Sequence, residues 1–439
     1  MARAHSIMLR TSSDIPILPS CMATHYGKFY WPLALSGLAL LLEHQFQNGV
    51  LARYPNASVE LATFALAASS FQLVNALLVF IPQLVAVLAR SPADRALCLR
   101  FINGVGLLLS LPLLAMGFTG WGARGLTLAL NIPPDVLPAV VRYLQWLAPL
   151  VWVNAVRQYC IGILVLGQRT RLVTLLNGVH LATLVAILLY GKRAGWGALP
   201  TLALATALSN GLHLLLGLLW VRRVTIPDRL ARDDFTQLTM ANIFRFFWPL
   251  ATTSMFFALS RPVLYAYVNR TADAVLTIAA LRVGFDFCFL IQNPLNQFRH
   301  VYATFGAADP RGVALFMYKV TSLFMVAMAL IVFTPLRYFV FGRLMGLEGE
   351  LLGRALQCIQ VFLLVPVIIV LRNLYHGKLM VRRTTMAMAP AALLRVVAIG
   401  ATASGLVRYG ALNHVTGAAV TVLGFAIETL VVRRWALRR

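Results

Sequence analysis

Tyr30-Trp31-Pro32-Leu33-Ala34 and, 217 residues later, Phe247-Trp248-Pro249-Leu250-Ala251 open alike, and each heads a train of six long apolar segments. Crossing about 30 Å of hydrocarbon takes ~20 mostly apolar residues. Twelve stretches qualify: 29–51, 60–88, 99–118, 138–166, 172–190, 199–221, 246–268, 273–297, 312–340, 352–375, 385–407 and 411–432. The chain therefore reads as an all-α integral membrane protein of 12 transmembrane helices in two six-helix repeats. With an even number of spans per repeat, the second re-enters from the side on which the first began. The repeats are then parallel about an axis along the membrane normal, and a substrate site is expected between them near the midplane. Further pairs keep the register: Arg157 and Gly162 are spaced as Arg372 and Gly377, and Arg222-Arg223 close the sixth span as Arg433-Arg434 close the twelfth.

Composition agrees. At 60% hydrophobic and 12% charged, with a mean hydropathy of +0.78, the chain has too little polar surface for a water-soluble globule. The formal charge of +24 would suggest nucleic acid in a soluble protein. Here the cations sit mostly in short loops, where topology and lipid headgroups account for them, and no nucleic-acid partner is expected. Alternate connections carry the excess, in Arg90 and Arg95, Arg169 and Arg171, Arg222, Arg223, Arg229 and Arg232, Lys378, Arg382 and Arg383, and Arg433, Arg434, Arg438 and Arg439. By the positive-inside rule both termini are cytoplasmic.

This divides the chain into a cytoplasmic lead-in (1–28) without a signal peptide's compact apolar run, an N-terminal six-helix bundle (29–221), a cytoplasmic linker (222–245), a C-terminal bundle (246–433) and a basic tail (434–439). The five cysteines are scattered, with no CxxC, so neither a disulfide framework nor a metal site is indicated. Walker A, GxSxG and HExxH patterns are absent, which argues against an enzyme and against ATP-driven transport; no cofactor is expected.

An ionised side chain inside a span costs at least ~2.5–3.5 kcal/mol, so each needs a partner, a cavity or a function. Glu43, His44 and Gln45 lie about 18 Å past Trp31 at 1.5 Å per residue, near the midplane. The 217-residue offset places Ser260-Arg261-Pro262 at the same level. Glu43 reads as a proton or cation site for coupling or gating, as an electrostatic partner orienting Arg261 or His44, or as a structural carboxylate. Arg261 reads as an anion ligand or as half of a buried pair, with Pro262 kinking the helix beside it. Arg282 and Asp286, four residues apart, can neutralise each other on one helix face. Glu428 is read as snorkelling or pairing with Arg433. A cavity with Arg261, Arg372 and Arg395 on its wall, and Ser260, His44 and Gln45 beside them, would bind carboxylates or phosphates.

The second half resembles the progressive ankylosis protein family, in Phe247-Trp248-Pro249-Leu250, Ser260-Arg261-Pro262 with Arg270, Arg299-xx-Tyr302-xx-Phe305, and Arg372-xxxx-Gly377-x-Leu379-Met380 continuing to Ala389-Pro390 and Leu394-Arg395. In the first half Tyr30-Trp31-Pro32-Leu33, Glu43 with Gly49, and Gly162-Ile163-Leu164 are similar to it, as are Gly417-Ala418 and Glu428 near the end. The resemblance implies a V-shaped pair of bundles, like the multidrug and oligosaccharide-lipid flippase superfamily (MATE-like, MOP superfamily). It implies an exporter, working by alternating access, of pyrophosphate, ATP or other nucleotides, or citrate-like polycarboxylates. The chain departs from the family at Arg157, around Arg282 and Asp286, and at Asn48, where the family has a basic residue; the long acidic tail of animal members is absent, and a bacterial inner membrane is the expected location. The leading expectation is a secondary transporter of organic or phosphate-bearing anions in a multipass membrane protein, with membrane lipid as surroundings and proton or cation coupling. The alternatives are a lipid-linked precursor flippase and a cation-coupled multidrug antiporter.

Overall fold

The computed structural model describes residues 26–31, 34–35, 38–167, 169–224, 238–306, 308–382 and 388–437. Most of the lead-in, the centre of the linker with Arg229 and Arg232, Pro32 and Leu33, Arg383, and the final Arg438-Arg439 lie outside the described residues. The N-terminal half runs α1 (Leu38–Leu51), α2 (Ala57–Asn75), α3 (Ile81–Leu88), α4 (Pro92–Phe118), α5 (Gly120–Leu130), α6 (Leu137–Leu166), α7 (Thr170–Arg193) and α8 (Ala198–Val221). The C-terminal half runs α9 (Met240–Ala258), α10 (Ser260–Val268), α11 (Ala274–Asn296), α12 (Phe298–Phe305), α13 (Pro310–Phe333), α14 (Gly349–Phe362), α15 (Val365–Val381), α16 (Met388–Arg408) and α17 (His414–Leu437).

Among the described residues ten helices are long and apolar enough to cross a membrane. They coincide with ten of the twelve spans read from sequence, the exceptions being the two repeat-opening spans. The first of these is represented by residues 26–31, 34–35 and α1. The second is interrupted at Leu259, between α9 and α10. Pro262 explains the interruption, because it has no N–H to give the carbonyl four residues earlier.

Helix starts follow from local chemistry. At α4, Ser91 Oγ accepts from Asp94 N at 3.0 Å and the Asp94 carboxylate accepts from Ser91 N at 3.2 Å, with Pro92 in the first turn. At α13, Asp309 caps the amide of Gly312 at 2.8 Å. Inside the bundles, helices approach through small residues, as membrane packing favours. A Cβ on Gly162 would stand 2.6 Å from Val85 Cβ, and one on Gly377 2.6 Å from Tyr302 Cβ, so α6 meets α3 and α15 meets α12 at glycine only.

The halves touch along α11, which packs on α1 and α2, and along α9, which packs on α2 and α3. Two loop contacts tie them further: Arg53 donates to Leu344 O at 2.6 Å and Arg343 O at 3.2 Å, and Asn269 donates to Leu130 O at 2.6 Å.

Candidate functional site

Polar side chains within the helices gather into three networks, and the broken helix α9–α10 joins two of them. The C-terminal network centres on Glu428 of α17. Its carboxylate accepts from Arg395 Nη1 at 2.7 Å and from Arg372 Nη1 at 3.3 Å. Arg395 continues to Ser260 Oγ at 3.1 Å and to the carbonyls of Phe256 and Phe257, the last turns before the helix break. Arg372 continues to Asn296 Oδ1 at 2.8 Å. The rings of Phe257 and Phe425 flank both guanidinium groups, and the two arginines are 4% and 1% exposed.

The second network crosses between the halves. Asp286 of α11 accepts from Arg261 Nη1 at 3.0 Å and from Asn48 Nδ2 at 2.9 Å, with Arg282 Nη2 3.8 Å away. Asn48, on α1, also accepts from Arg282 Nε at 2.8 Å. Arg282 rests on the Phe64 ring of the N-terminal half. The Arg261 side chain, in contrast, is 31% exposed, between the faces of Phe285 and Phe289.

The third network belongs to the N-terminal half. Glu43 accepts from Gln47 Nε2 at 3.1 Å and shares a hydrogen bond of 3.0 Å with His180 Nε2 of α7. The His180 ring lies 5.9 Å from that of His213 on α8, neither nitrogen of which has a partner among the described residues. Arg157 of α6 donates to Asn210 at 2.5 Å.

These networks are related by the repeat. The 215-residue offset that maps Arg157 onto Arg372 also maps His180 onto Arg395 and His213 onto Glu428, and the 217-residue offset maps Glu43 onto Ser260. The His180–Glu43 bond is thus the N-terminal counterpart of the Arg395–Ser260 bond. One framework carries different charges in the two halves.

Several expectations change. Glu428 binds Arg372 and Arg395, because α17 packs on α15 and α16 and turns the carboxylate inward; it is neither snorkelling nor paired with Arg433. Arg372 and Arg395 are consequently buried on Glu428 rather than free on a cavity wall. Glu43 reaches His180 within its own half, not Arg261, since Asp286 on the neighbouring helix takes that guanidinium first. His44 has no hydrogen bond among the described residues, and Gln45 Nε2 is buried without a partner. Ser260 and Arg261 do share a level but serve different networks. Arg282 and Asp286 face each other as the four-residue spacing requires. Asn48 was visible in the sequence only as a departure from a family pattern, and its bridging role depends on a helix more than 230 residues away.

The pattern of the progressive ankylosis protein (ANKH) family matches residues 20–313. The chain belongs to that family. The match takes in Glu43, Ser260, Arg261 and Asp286 and stops short of the other carboxylate, Glu428. Among solved structures, this ANKH-family chain is similar to an inward-facing multidrug-resistance MATE family transporter of the MOP superfamily (TM-score 0.68, 16% identity, 94% of this chain and 97% of that one). It is equally similar in fold to the lipid II flippase MurJ in an inward closed conformation (TM-score 0.68, 13% identity, 94% and 87%). A third is a MOP superfamily transporter from Pyrococcus furiosus described by the reverse polarity of its binding pocket (TM-score 0.58, 15% identity, 94% and 95%). At these identities the likeness is one of fold. The chain is thus a multipass membrane protein of the progressive ankylosis family whose fold is like that of MOP superfamily transporters.

Proposed function

We propose that this protein is a secondary transporter, an exporter, of organic or phosphate-bearing anions such as citrate-like polycarboxylates, pyrophosphate or nucleotides. The observation that carries the reading is the charge count in the C-terminal half. Asp286 serves Arg261 and Arg282, and Glu428 serves Arg372 and Arg395, so each buried carboxylate is shared by two guanidinium groups and each network keeps one positive charge in excess. Excess cations in a low-dielectric interior draw in an anion. Arg261 is the guanidinium of these four with an accessible edge. It would grip a carboxylate or phosphoryl group there while Asp286, itself held by Asn48, holds its other side. Ser260 and Arg395 brace the helix break that presents it, and Arg372 adds to the field.

Glu43 is the proposed coupling or gating group. Its hydrogen bond to His180 supports this, because both side chains take up or release protons, whereas arginine stays charged at any working pH. The two halves would rock against each other, exposing Arg261 to either side in turn. A bacterial plasma membrane is the proposed location, in keeping with the Ala, Leu and Arg-rich composition.

A lipid-linked precursor flippase is the second reading, favoured by the fold shared with the lipid II flippase and by the same basic excess, which suits an anionic headgroup. A drug-cation antiporter would need acidic groups in excess, contrary to the count above. Uptake into proteoliposomes decides. Wild type is expected to take up citrate, pyrophosphate or ATP, Arg261→Gln to lose at least about tenfold in rate, and Glu43→Gln to lose the response to an imposed proton gradient. Undiminished anion uptake by Arg261→Gln would overturn the assignment.

A further inference from the structure

Arg157, Arg261, Arg282, Arg372 and Arg395 each donate to a side-chain acceptor. Arg299 has none among the described residues. It lies on α12, three positions after Asn296, with its Nε sealed from solvent and unpartnered. Its surroundings are fixed by α15: Asn373 Nδ2 donates to Leu295 O at 2.9 Å, Arg372 donates to Asn296 Oδ1 at 2.8 Å, and Gly377 lets α15 close on Tyr302, one turn along from Arg299.

The helix face that α15 turns to this junction carries two more unsatisfied groups. Arg372 Nε and His376 Nε2 have no acceptor or donor partner, although the residues are only 4% and 8% exposed. Arg299 is within electrostatic reach of both. Arg299, Arg372 and Arg395 all act on His376, and only Arg372 and Arg395 are paired with a carboxylate, that of Glu428, so these groups together carry two positive charges in excess. Among the described residues no further carboxylate is paired with these groups. A cation without a partner and with its Nε sealed from solvent is costly, and unsatisfied N–H groups converging with it call for acceptor oxygens.

We propose that Arg299, Arg372 and His376 form a second anion-binding subsite, distinct from the accessible edge of Arg261, that takes a phosphoryl or carboxylate group of a soluble polyanion. It rests on the anion-transport reading and deepens it: a polyanion has more than one charged end, and the C-terminal half offers a receptor for each. Arg299 supplies a planar fork of donors, Arg372 its free Nε–H, and His376 its Nε2.

The test is calorimetric titration of purified full-length protein in neutral phosphatidylcholine nanodiscs with pyrophosphate and with citrate. Arg299→Gln is expected to weaken binding of at least one of them by about tenfold or more, and Arg299→Lys, which keeps the charge, to recover most of that loss. Because Arg299 has no internal partner to lose, Arg299→Gln is expected to melt, ligand-free, no lower than wild type. Wild-type affinity in Arg299→Gln alongside weakened binding in Arg261→Gln overturns the subsite and leaves the transport reading standing. No binding of either anion by wild type, or wild-type affinity in both variants, removes both. A lower ligand-free melting temperature in Arg299→Gln overturns the subsite in favour of a structural role. Unchanged pyrophosphate and citrate binding in Arg299→Gln, with lipid analysis showing that the variant purified from phosphatidylglycerol-containing membranes no longer retains that lipid as wild type does, overturns it in favour of a lipid headgroup.

Discussion

Replacing Asp286 by Asn separates two things its carboxylate does, holding Arg261 and repelling whatever anion Arg261 would bind. Asp286 Oδ1 lies 3.0 Å from Arg261 Nη1. An anion on the accessible edge of the same guanidinium, at another hydrogen bond of ~3 Å, stands about 6–7 Å from that carboxylate across the planar group. At an effective dielectric near 20, two like charges at that separation repel by about 2.5 kcal/mol. Asp286→Asn removes the repulsion, so anion affinity is expected to rise by a factor between about ten and a hundred. Stability moves the other way. Arg282 is 3% exposed and loses its counter-charge together with Arg261, a loss of about 3 kcal/mol, while the amide keeps a hydrogen bond to one of its donors. Titration calorimetry and thermal melting of the same preparation read both quantities. Citrate or pyrophosphate affinity that falls or stays level in Asp286→Asn would refute the idea that the carboxylate competes with substrate for Arg261; an unchanged melting temperature would refute the electrostatic role assigned to it in the fold.

Glu428→Gln is expected to cost more than Asp286→Asn, about 3–5 kcal/mol in chemical unfolding, because it strands two buried arginines whose other acceptors are neutral; a variant as stable as wild type contradicts the shared-carboxylate picture. Gly162→Ala pushes a Cβ into Val85 and to 3.0 Å from Pro82 O. It is expected to lose about 1–3 kcal/mol, and Val85→Gly in the same chain, which removes the Cβ it meets, to restore part of it. Additive losses in that double variant would show that the contact is not what limits the α3–α6 approach.

The helices were legible in the sequence because membrane burial leaves little ambiguity: a run long and apolar enough to span has few alternatives. The two opening spans are the exceptions among the described residues, and the proline that marks Ser260-Arg261-Pro262 explains why the second of them is broken at Leu259. Partner choice was not legible. Glu428 has Arg433 five residues away in sequence, yet it binds arginines 33 and 56 residues distant, since which carboxylate meets which guanidinium is set by how α15, α16 and α17 pack. Likewise Glu43 has His44 beside it and uses His180, 137 positions on. Neighbours in sequence point to different faces of a helix, so adjacency was the wrong guide. The better guide was present: the offset from Arg157 to Arg372, applied to the remaining polar positions, pairs His180 with Arg395 and His213 with Glu428 from sequence alone.

That pairing bears on how two similar bundles could perform unlike tasks. Four corresponding positions hold Glu43, His180, His213 and Arg157 in one half and Ser260, Arg395, Glu428 and Arg372 in the other. In the C-terminal set the bases are both arginines, which keep their charge across the working range of pH. On the anion-transport proposal that network would bind and release an anion without any means of discharging its own cations. In the N-terminal set the positions of Arg395 and Glu428 are taken by histidines, side chains without arginine's permanent charge, and the acid has moved to α1, as Glu43. The titratable group therefore lies one half away from the half that concentrates fixed positive charge. Asn48, one turn beyond Glu43 on α1, bridges to Arg282 and Asp286 of the opposite half. A shift of α1 that follows a change of charge at Glu43 or His180 would reach Arg261 through two hydrogen-bonded contacts, Asn48 to Asp286 and Asp286 to Arg261.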